Sequence, residues 1–291
     1  MTRPVIFGEV LFDRFPDGSE VLGGAPFNVA WNLRGLGLDP LLVSRVGRDT
    51  LGDRILAAMD GFGLDSSAVQ VDDDRPTGTV EISLVDGEPR FEIVDGRAWD
   101  RIEKPHHEPE ASVLYHGSLA LRNPGSRATG ETLVRQTAAP VFFDVNLRDP
   151  WWDREEVLQR MQSVRAVKLN HDELARFADS SEDIEVQARK LLDRTGASTV
   201  FLTRGSEGAD AITKEGIHCH TRPSAPVPVV DTVGAGDAFS SVLILGILED
   251  WPLQFMLDRA REFAEAVVGL RGATSTDPAF YSRFRTTWSP A

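Results

Sequence analysis

The sequence predicts an α/β fold: three α/β/α layers around a mostly parallel central sheet, with a small β-sheet acting as a lid. Two observations carry this. From about residue 112, short apolar runs at 113–115, 141–143, 167–169 and 199–202 alternate with polar stretches of helical length, the rhythm of parallel strands joined by helices. Residues 78–100 instead alternate apolar and polar positions about a turn, as in a hairpin with one wet face. Taken in order, Val5-Ile-Phe7 before Gly8 is a short buried strand, and Val10-Leu-Phe12 and Val21-Leu22 flank the turn pair Asp17-Gly18. Phe27, Ala30, Leu33 and Leu36 are spaced for a helix over 26–36. Leu41-Leu-Val43 is a second strand, and Leu51, Ile55, Ala58 and Met59 mark a helix over 51–62. The strands 79–84 and 90–93, about Asp86-Gly87, are expected to join the first hairpin as a separate small sheet. No repeat or Pro/Gly linker divides the chain, so residues 1–291 are expected to form one domain with a lid at about 10–24 and 78–100.

Composition narrows the function classes. Thirty-one Lys and Arg against 45 Asp and Glu leave a net charge of −14 over 291 residues. Such a surface repels phosphate backbones and anionic lipid, so neither nucleic acid nor membrane is an expected partner. The one cysteine, Cys219, cannot form an internal disulfide. The apolar run 242–248 is far short of the roughly 20 residues of a membrane span, and the N-terminus has no secretion-signal core. A cytoplasmic protein is expected.

The most informative stretch is Asp231-Thr-Val-Gly-Ala-Gly-Asp-Ala-Phe239, which runs into an apolar helix. Gly234 and Gly236 are expected to turn with positive φ and to expose N–H groups at a helix start near Asp237. Such a point attracts anionic oxygen. A carboxylate beside that cradle suits phosphoryl transfer to an alcohol: the acid takes the hydroxyl proton while the amides hold the transferring group. No Gly-x-x-x-x-Gly-Lys-Ser/Thr loop, no Gly-x-Gly-x-x-Gly after the first strand and no Gly-x-Ser-x-Gly elbow is present, which argues against P-loop, Rossmann and serine-hydrolase chemistry. His218-Cys-His220 alternates as a strand would rather than as a metal site.

This segment resembles the C-terminal signature of the PfkB/ribokinase family of carbohydrate kinases. Gly23-Gly24-Ala-Pro-Phe-Asn28-Val-Ala-Trp-Asn-Leu-Arg-Gly-Leu-Gly37 resembles the family's N-terminal signature, in the expected order. The resemblance implies a ribokinase-like fold, ATP and Mg²⁺ as cosubstrate and cofactor, and roles by position. Asp237 would be the catalytic base, with Gly234, Ala235 and Gly236 as the anion hole. Asp13, Gly24, Asn28 and Arg148 would contact the acceptor. Arg148 belongs to Asp144-Val-Asn-Leu-Arg148, similar to the family's Asp-x-Asn-x-Arg element. Asn170, Thr203, Gly205 and Gly208 would meet ATP, and Glu173 would meet magnesium through water. Read from the residues alone, Asn170 and Glu173 are a helix capping box and residues 203–209 a hairpin turn. Arg204 would reach a phosphate or be solvated. The resemblance also places a monovalent-cation site at Asp231 and the Val233 carbonyl and leaves K⁺ dependence open. Trp151 and Trp152 are read as packing.

Gly8-Glu-Val-Leu-Phe-Asp13, Gly23-Gly-Ala-Pro-Phe-Asn28 and Ala98-Trp-Asp100 look most like bacterial fructokinases, which implies D-fructose as acceptor and fructose 6-phosphate as product. The alternatives are 2-keto-3-deoxygluconate or ribose as acceptor, a nucleoside kinase, and a non-catalytic sugar-binding module. A homodimer through the lid is expected, because the alternation over 79–93 leaves one face to cover.

Overall fold

The computed structural model describes residues 3–85, 88–107, 109–178, 182–223 and 228–288. The turn expected at Asp86-Gly87 lies outside these residues. The chain opens with β1 (Pro4–Phe7), β2 (Leu11–Arg14), β3 (Glu20–Gly23), α1 (Ala25–Gly35), β4 (Leu41–Gly47), α2 (Thr50–Phe62) and β5 (Val69–Asp72). The hairpin β6 (Gly78–Val85) and β7 (Glu88–Ile93) follows, then β8 (Val113–His116), α3 (Pro124–Gln136), β9 (Val141–Asp144), α4 (Arg154–Arg160), β10 (Ala166–Asn170) and α5 (His171–Ala175). Last come α6 (Ile184–Thr195), β11 (Thr199–Thr203), β12 (Ala209–Thr213), β13 (His218–Thr221), α7 (Ala235–Leu248), α8 (Leu253–Val268) and α9 (Pro278–Thr287).

Nine strands form the central sheet in the order β13-β12-β11-β10-β9-β8-β1-β4-β5, parallel from β11 to β5 and antiparallel at β12 and β13. Side chains alternate between its two faces. Ile6, Val113, Tyr115, Phe142, Ala166 and Phe201 meet the core that includes α1, α7 and α8. Phe143, Val167, Leu169, Val200 and Leu202 meet the core of α4 and α6 on the other face. Helix α7 lies against both α1 and α8, which explains why its sequence is apolar all round: Ala238 to Gly246 are buried without a break.

The two hairpins do join, in the order β3-β2-β6-β7. The joint β2–β6 is parallel, so this small sheet is mixed. Its apolar residues Leu11, Val80 and Ile82 share one cluster with the half-buried Ile93. The parallel strands end along one edge of the large sheet, where open α/β sheets bind ligands. Asp144, Asn170 and Thr203 are the last residues of β9, β10 and β11 and stand at that edge.

Candidate active site

Helix α7 starts two residues earlier than its sequence suggests. Gly234 is its N-cap with φ 79°, and an added Cβ there would lie 2.1 Å from the Ala273 Cβ, so only glycine fits. Gly236 departs from expectation: it lies inside the helix and has no positive φ. Its reason is proximity, since a Cβ there would sit 2.9 Å from the Lys168 Nζ. Among the described residues the N–H groups of Gly236 and Asp237 have no backbone partner, as at any helix start, and they carry the positive end of the helix dipole.

Asp237 is therefore a first-turn residue and not the cap. Its half-buried carboxyl accepts a 2.8 Å hydrogen bond from Nδ2 of Asn28, which α1 presents. Burial lifts its pKa to about 6, opposed by the Asn28 bond, while Asp144 pushes it up and Lys168 and Arg148 pull it down. Asn28 is 4% exposed, and its Oδ1 has no partner among the described residues. Gly24 caps α1 with φ 105° and packs on the Glu9 carbonyl. Asp13, on β2, is half-buried and is raised to about 6 by burial, with Arg148 lowering it and Asp231 and Asp237 raising it. The exposed Arg148 donates to the Leu147 carbonyl at 2.9 Å, and its charge reaches Glu9, Asp13 and Asp237. The structure thus gathers Asp237, residues 234–236, Asn28, Gly24, Asp13 and Arg148.

Three further groups sit here to which the sequence alone assigned no role. Glu9 is 3% exposed, burial lifts it to about 7, and its Oε2 has no partner among the described residues. Lys168 and Asp144 pair across β10 and β9 in direct register, with Nζ 3.1 and 3.2 Å from the two carboxylate oxygens. Asp144, fully buried, also accepts from Ser240 Oγ at 2.9 Å and Tyr115 OH at 3.3 Å. The signal for Lys168 is a lysine inside the apolar run Val167-Lys-Leu169; the signal for Glu9 is an acid between Gly8 and Val10.

Asn170 and Glu173 form the capping box of α5: Glu173 N–H donates to Asn170 Oδ1 and Asn170 N–H to Glu173 Oε2, both at 2.8 Å. Glu173 Oε1 accepts from Leu147 N–H at 2.7 Å. Among the described residues each carboxylate oxygen of Glu173 is thus engaged once, which leaves a lone pair on each for a hydrated ion. Among the described residues no group of three His, Cys, Asp or Glu is arranged to hold a metal ion. The donor set fits a magnesium ion that arrives on nucleotide phosphates and keeps its own waters.

Thr203 pairs with Asn170 in register and so borders the same edge. Gly205 and Gly208 form the β11–β12 turn, where Gly208 packs on the Thr221 carbonyl. Arg204 is not solvated: its Nε lies 2.9 Å from Asp210, which also takes His218 and His220 at 2.9 Å each. Asp231 accepts from Val233 N–H at 3.0 Å and Gly272 N–H at 3.1 Å, closing the loop before α7, and the Val233 side chain is exposed. Trp151 packs beside Arg122, which is stacked between it and Trp99.

The family model described as pfkB family carbohydrate kinase matches residues 6–279. A fructokinase of Klebsiella pneumoniae is 31% identical over 258 residues, covering 83% of each chain. The structure of aminoimidazole riboside kinase from Salmonella enterica, complexed with aminoimidazole riboside and an ATP analog, has a TM-score of 0.80 at 25% identity over 98% of this chain and 100% of that one. A fructokinase double mutant from Vibrio cholerae, bound to fructose, ADP and potassium ion, has a TM-score of 0.81 at 24% identity over 97% of this chain and 98% of that one, and bears on the fold. The chain belongs to the pfkB family and is a carbohydrate kinase with the ribokinase-like fold.

Proposed function

We propose that this pfkB-family kinase transfers the γ-phosphoryl group of ATP to the primary hydroxyl of D-fructose, giving fructose 6-phosphate. The observation that carries the reading is the Asp237 carboxyl, held at 2.8 Å by Asn28 beside the first-turn N–H groups of α7, which have no backbone partner among the described residues. A base with a pKa of about 6 is ionised at neutral pH yet basic enough to accept a proton as the hydroxyl attacks. Residues 234–236 hold the transferring group, with amide donors each contributing about 10²–10³ in rate. Asp13, Gly24, Asn28 and Arg148 meet the sugar, whose hydroxyls both donate and accept, as the partnerless Asn28 Oδ1 requires. Asn170, Thr203, Gly205 and Gly208 lie along the nucleotide. Magnesium, when bound, screens the phosphate charge; Glu173 would hold it through water, and Asp231 with the Val233 carbonyl would hold K⁺. The small sheet closes over the sugar and excludes water.

The choice of fructose rests on the fructokinase relative. The riboside kinase neighbour favours a second acceptor class, a ribose-bearing substrate. ADP release with D-fructose, 2-keto-3-deoxygluconate, D-ribose and adenosine tests the choice. The highest kcat/KM is expected for D-fructose. A higher value for another acceptor overturns that assignment, and no release with any acceptor overturns the assignment of the site. Dimerisation through the small sheet belongs to the same proposal: Phe91, 56% exposed, shares a face with Ile82, its partner in register. A light-scattering mass of 32.0 kDa across a wide concentration range would exclude it. The proposed location is the cytoplasm; no helix among the described residues is long and apolar enough to cross a membrane.

A further inference from the structure

The small sheet and the turn that carries Arg148 come from distant parts of the chain, and one side chain holds both. Arg122 ends a single 3₁₀ turn after β8, Leu119–Leu121. Its Nε and Nη2 donate to the two carboxylate oxygens of Asp100 at 2.8 and 2.9 Å, and Nη2 also donates to the Val94 carbonyl at 2.8 Å. Val94 directly follows β7, and Asp100 lies in the 3₁₀ turn Ala98–Arg101 by which the chain leaves the small sheet. The same guanidinium is stacked on two indoles, 4.2 Å from the ring centroid of Trp99 and 4.5 Å from that of Trp151. Trp99 is wedged at the start of β6, where a Cβ on Gly78 would lie 2.4 Å from its Nε1. Trp151 donates its N–H to the Arg148 carbonyl at 2.8 Å and so closes the turn from which the Arg148 side chain leaves. At the other end of that turn the Leu147 N–H is fixed on Glu173.

The Arg122 and Asp100 side chains are 2% and 1% exposed. A buried ion pair is a poor way to gain stability, because apolar residues of similar volume do as well or better. What a planar, two-pronged pair supplies is fixed geometry. Here it fixes both ends of the β6–β7 hairpin against the turn of Arg148. Arg148 itself is exposed, yet its charge reaches Glu9, Asp13 and Asp237, so a shift of its turn moves a cation that acts on the acceptor side of the site.

We propose that Arg122 is a positioning residue: through Asp100, Trp99 and Trp151 it joins the small sheet to the turn of Arg148, so that the two meet the acceptor as one body. This rests on reading Arg148 as an acceptor contact. Arg122 touches neither substrate and acts through Arg148.

A double-mutant cycle with the best acceptor of the panel separates this from a plain packing role. Arg148→Ala and Trp151→Leu are each expected to lower kcat/KM for the acceptor about tenfold to a hundredfold, with the KM for ATP within about threefold of wild type. Combined, they are expected to cost no more than about twice the larger single loss, because both remove the same contact. Losses that multiply, or an equal loss of ATP affinity, overturn the proposal. Trp151→Phe, which keeps a ring face for the guanidinium, should lose no more than about threefold, and a loss equal to that of Trp151→Leu counts against the stack. Arg122→Met/Asp100→Asn removes both charges of the buried pair, reads the same cycle from the other side and decides the matter if Trp151→Leu does not fold. Should Arg148→Ala leave acceptor turnover unchanged, or the wild type phosphorylate none of the acceptors, the functional reading fails. Hydrogen exchange then still judges the joint: Trp151→Leu should speed exchange over both 94–101 and 146–151, and a change confined to 146–151 overturns it.

Discussion

The side of the site proposed for the phosphoryl group and the side proposed for the acceptor are finished to different degrees. At the α7 turn the buried groups are paired: Asp144 takes Lys168, Ser240 and Tyr115, and Glu173 takes two backbone N–H groups. Toward the small sheet, Glu9 Oε2, Asn28 Oδ1, Thr79 Oγ1 and Trp99 Nε1 are buried with no partner among the described residues. Leaving such groups unpaired costs about 1–3 kcal/mol each, and on the proposed reading Glu9 and Asn28 border the surface that a hydroxyl-rich acceptor completes. On the proposed reading, the difference teaches that anion binding is built into the backbone and its fixed charges, whereas acceptor recognition is left to hydrogen bonds formed on binding. It also explains why the kinase class is readable while the sugar is not.

The largest effect should come from breaking the finished side. Gly234→Ala forces a Cβ into Ala273 at a φ of 79°, displaces the N–H groups and should lower kcat about 10²–10³, read by ADP release. Next, Asn28→Ala should lower kcat/KM about tenfold to a hundredfold and move the acid limb of its pH profile. The sign follows from Asn28's role: its hydrogen bond favours the ionised form of Asp237, so losing it raises the pKa above about 6 and shifts the limb to higher pH. An unmoved limb would detach Asn28 from the base.

A third prediction concerns stability on the unfinished side. Glu9 is raised from 4.5 to about 7 by burial, so in the relevant pH range the folded state binds its proton more tightly than the unfolded state does. Its contribution is favourable below about pH 4 and is lost as pH rises through about 7. Glu9→Gln should therefore stabilise the protein by about 1–3 kcal/mol at pH 8 and by little at pH 4, measured by urea unfolding at both values. A pH-independent difference would remove Glu9 from the titrating set. The smallest effect is expected at Arg204. It is tied to Asp210 at the β11–β12 turn, so Arg204→Ala should change the KM for ATP by no more than about threefold. A larger change would return Arg204 to the phosphates.

Local patterns carried much of this into view. The alternation at 79–84 and 90–93 and the short apolar runs of the parallel strands are local signals, and each marks a strand of the structure. Strand β12, Ala209-Asp-Ala-Ile-Thr213, gives no comparable signal: it is buried along its length, yet its small and polar residues read as a loop. The mixed pairing in the small sheet was equally invisible, because β2 meets β6 in parallel across β3, α1, β4, α2 and β5. Site residues divide in the same way. Asp237 and Gly234 announce themselves within one motif. Lys168 becomes meaningful only when the register sets it opposite Asp144, and Gly236 only when Lys168 is beside it. Both facts live in strand pairing, which a linear pattern does not encode.

The most direct test of the account is the turnover of Asp237→Asn, measured by ADP release with the best acceptor and paired with ADP affinity. kcat is expected to fall about 10²–10⁴ with ADP affinity within about threefold of wild type. Turnover comparable to wild type would contradict it.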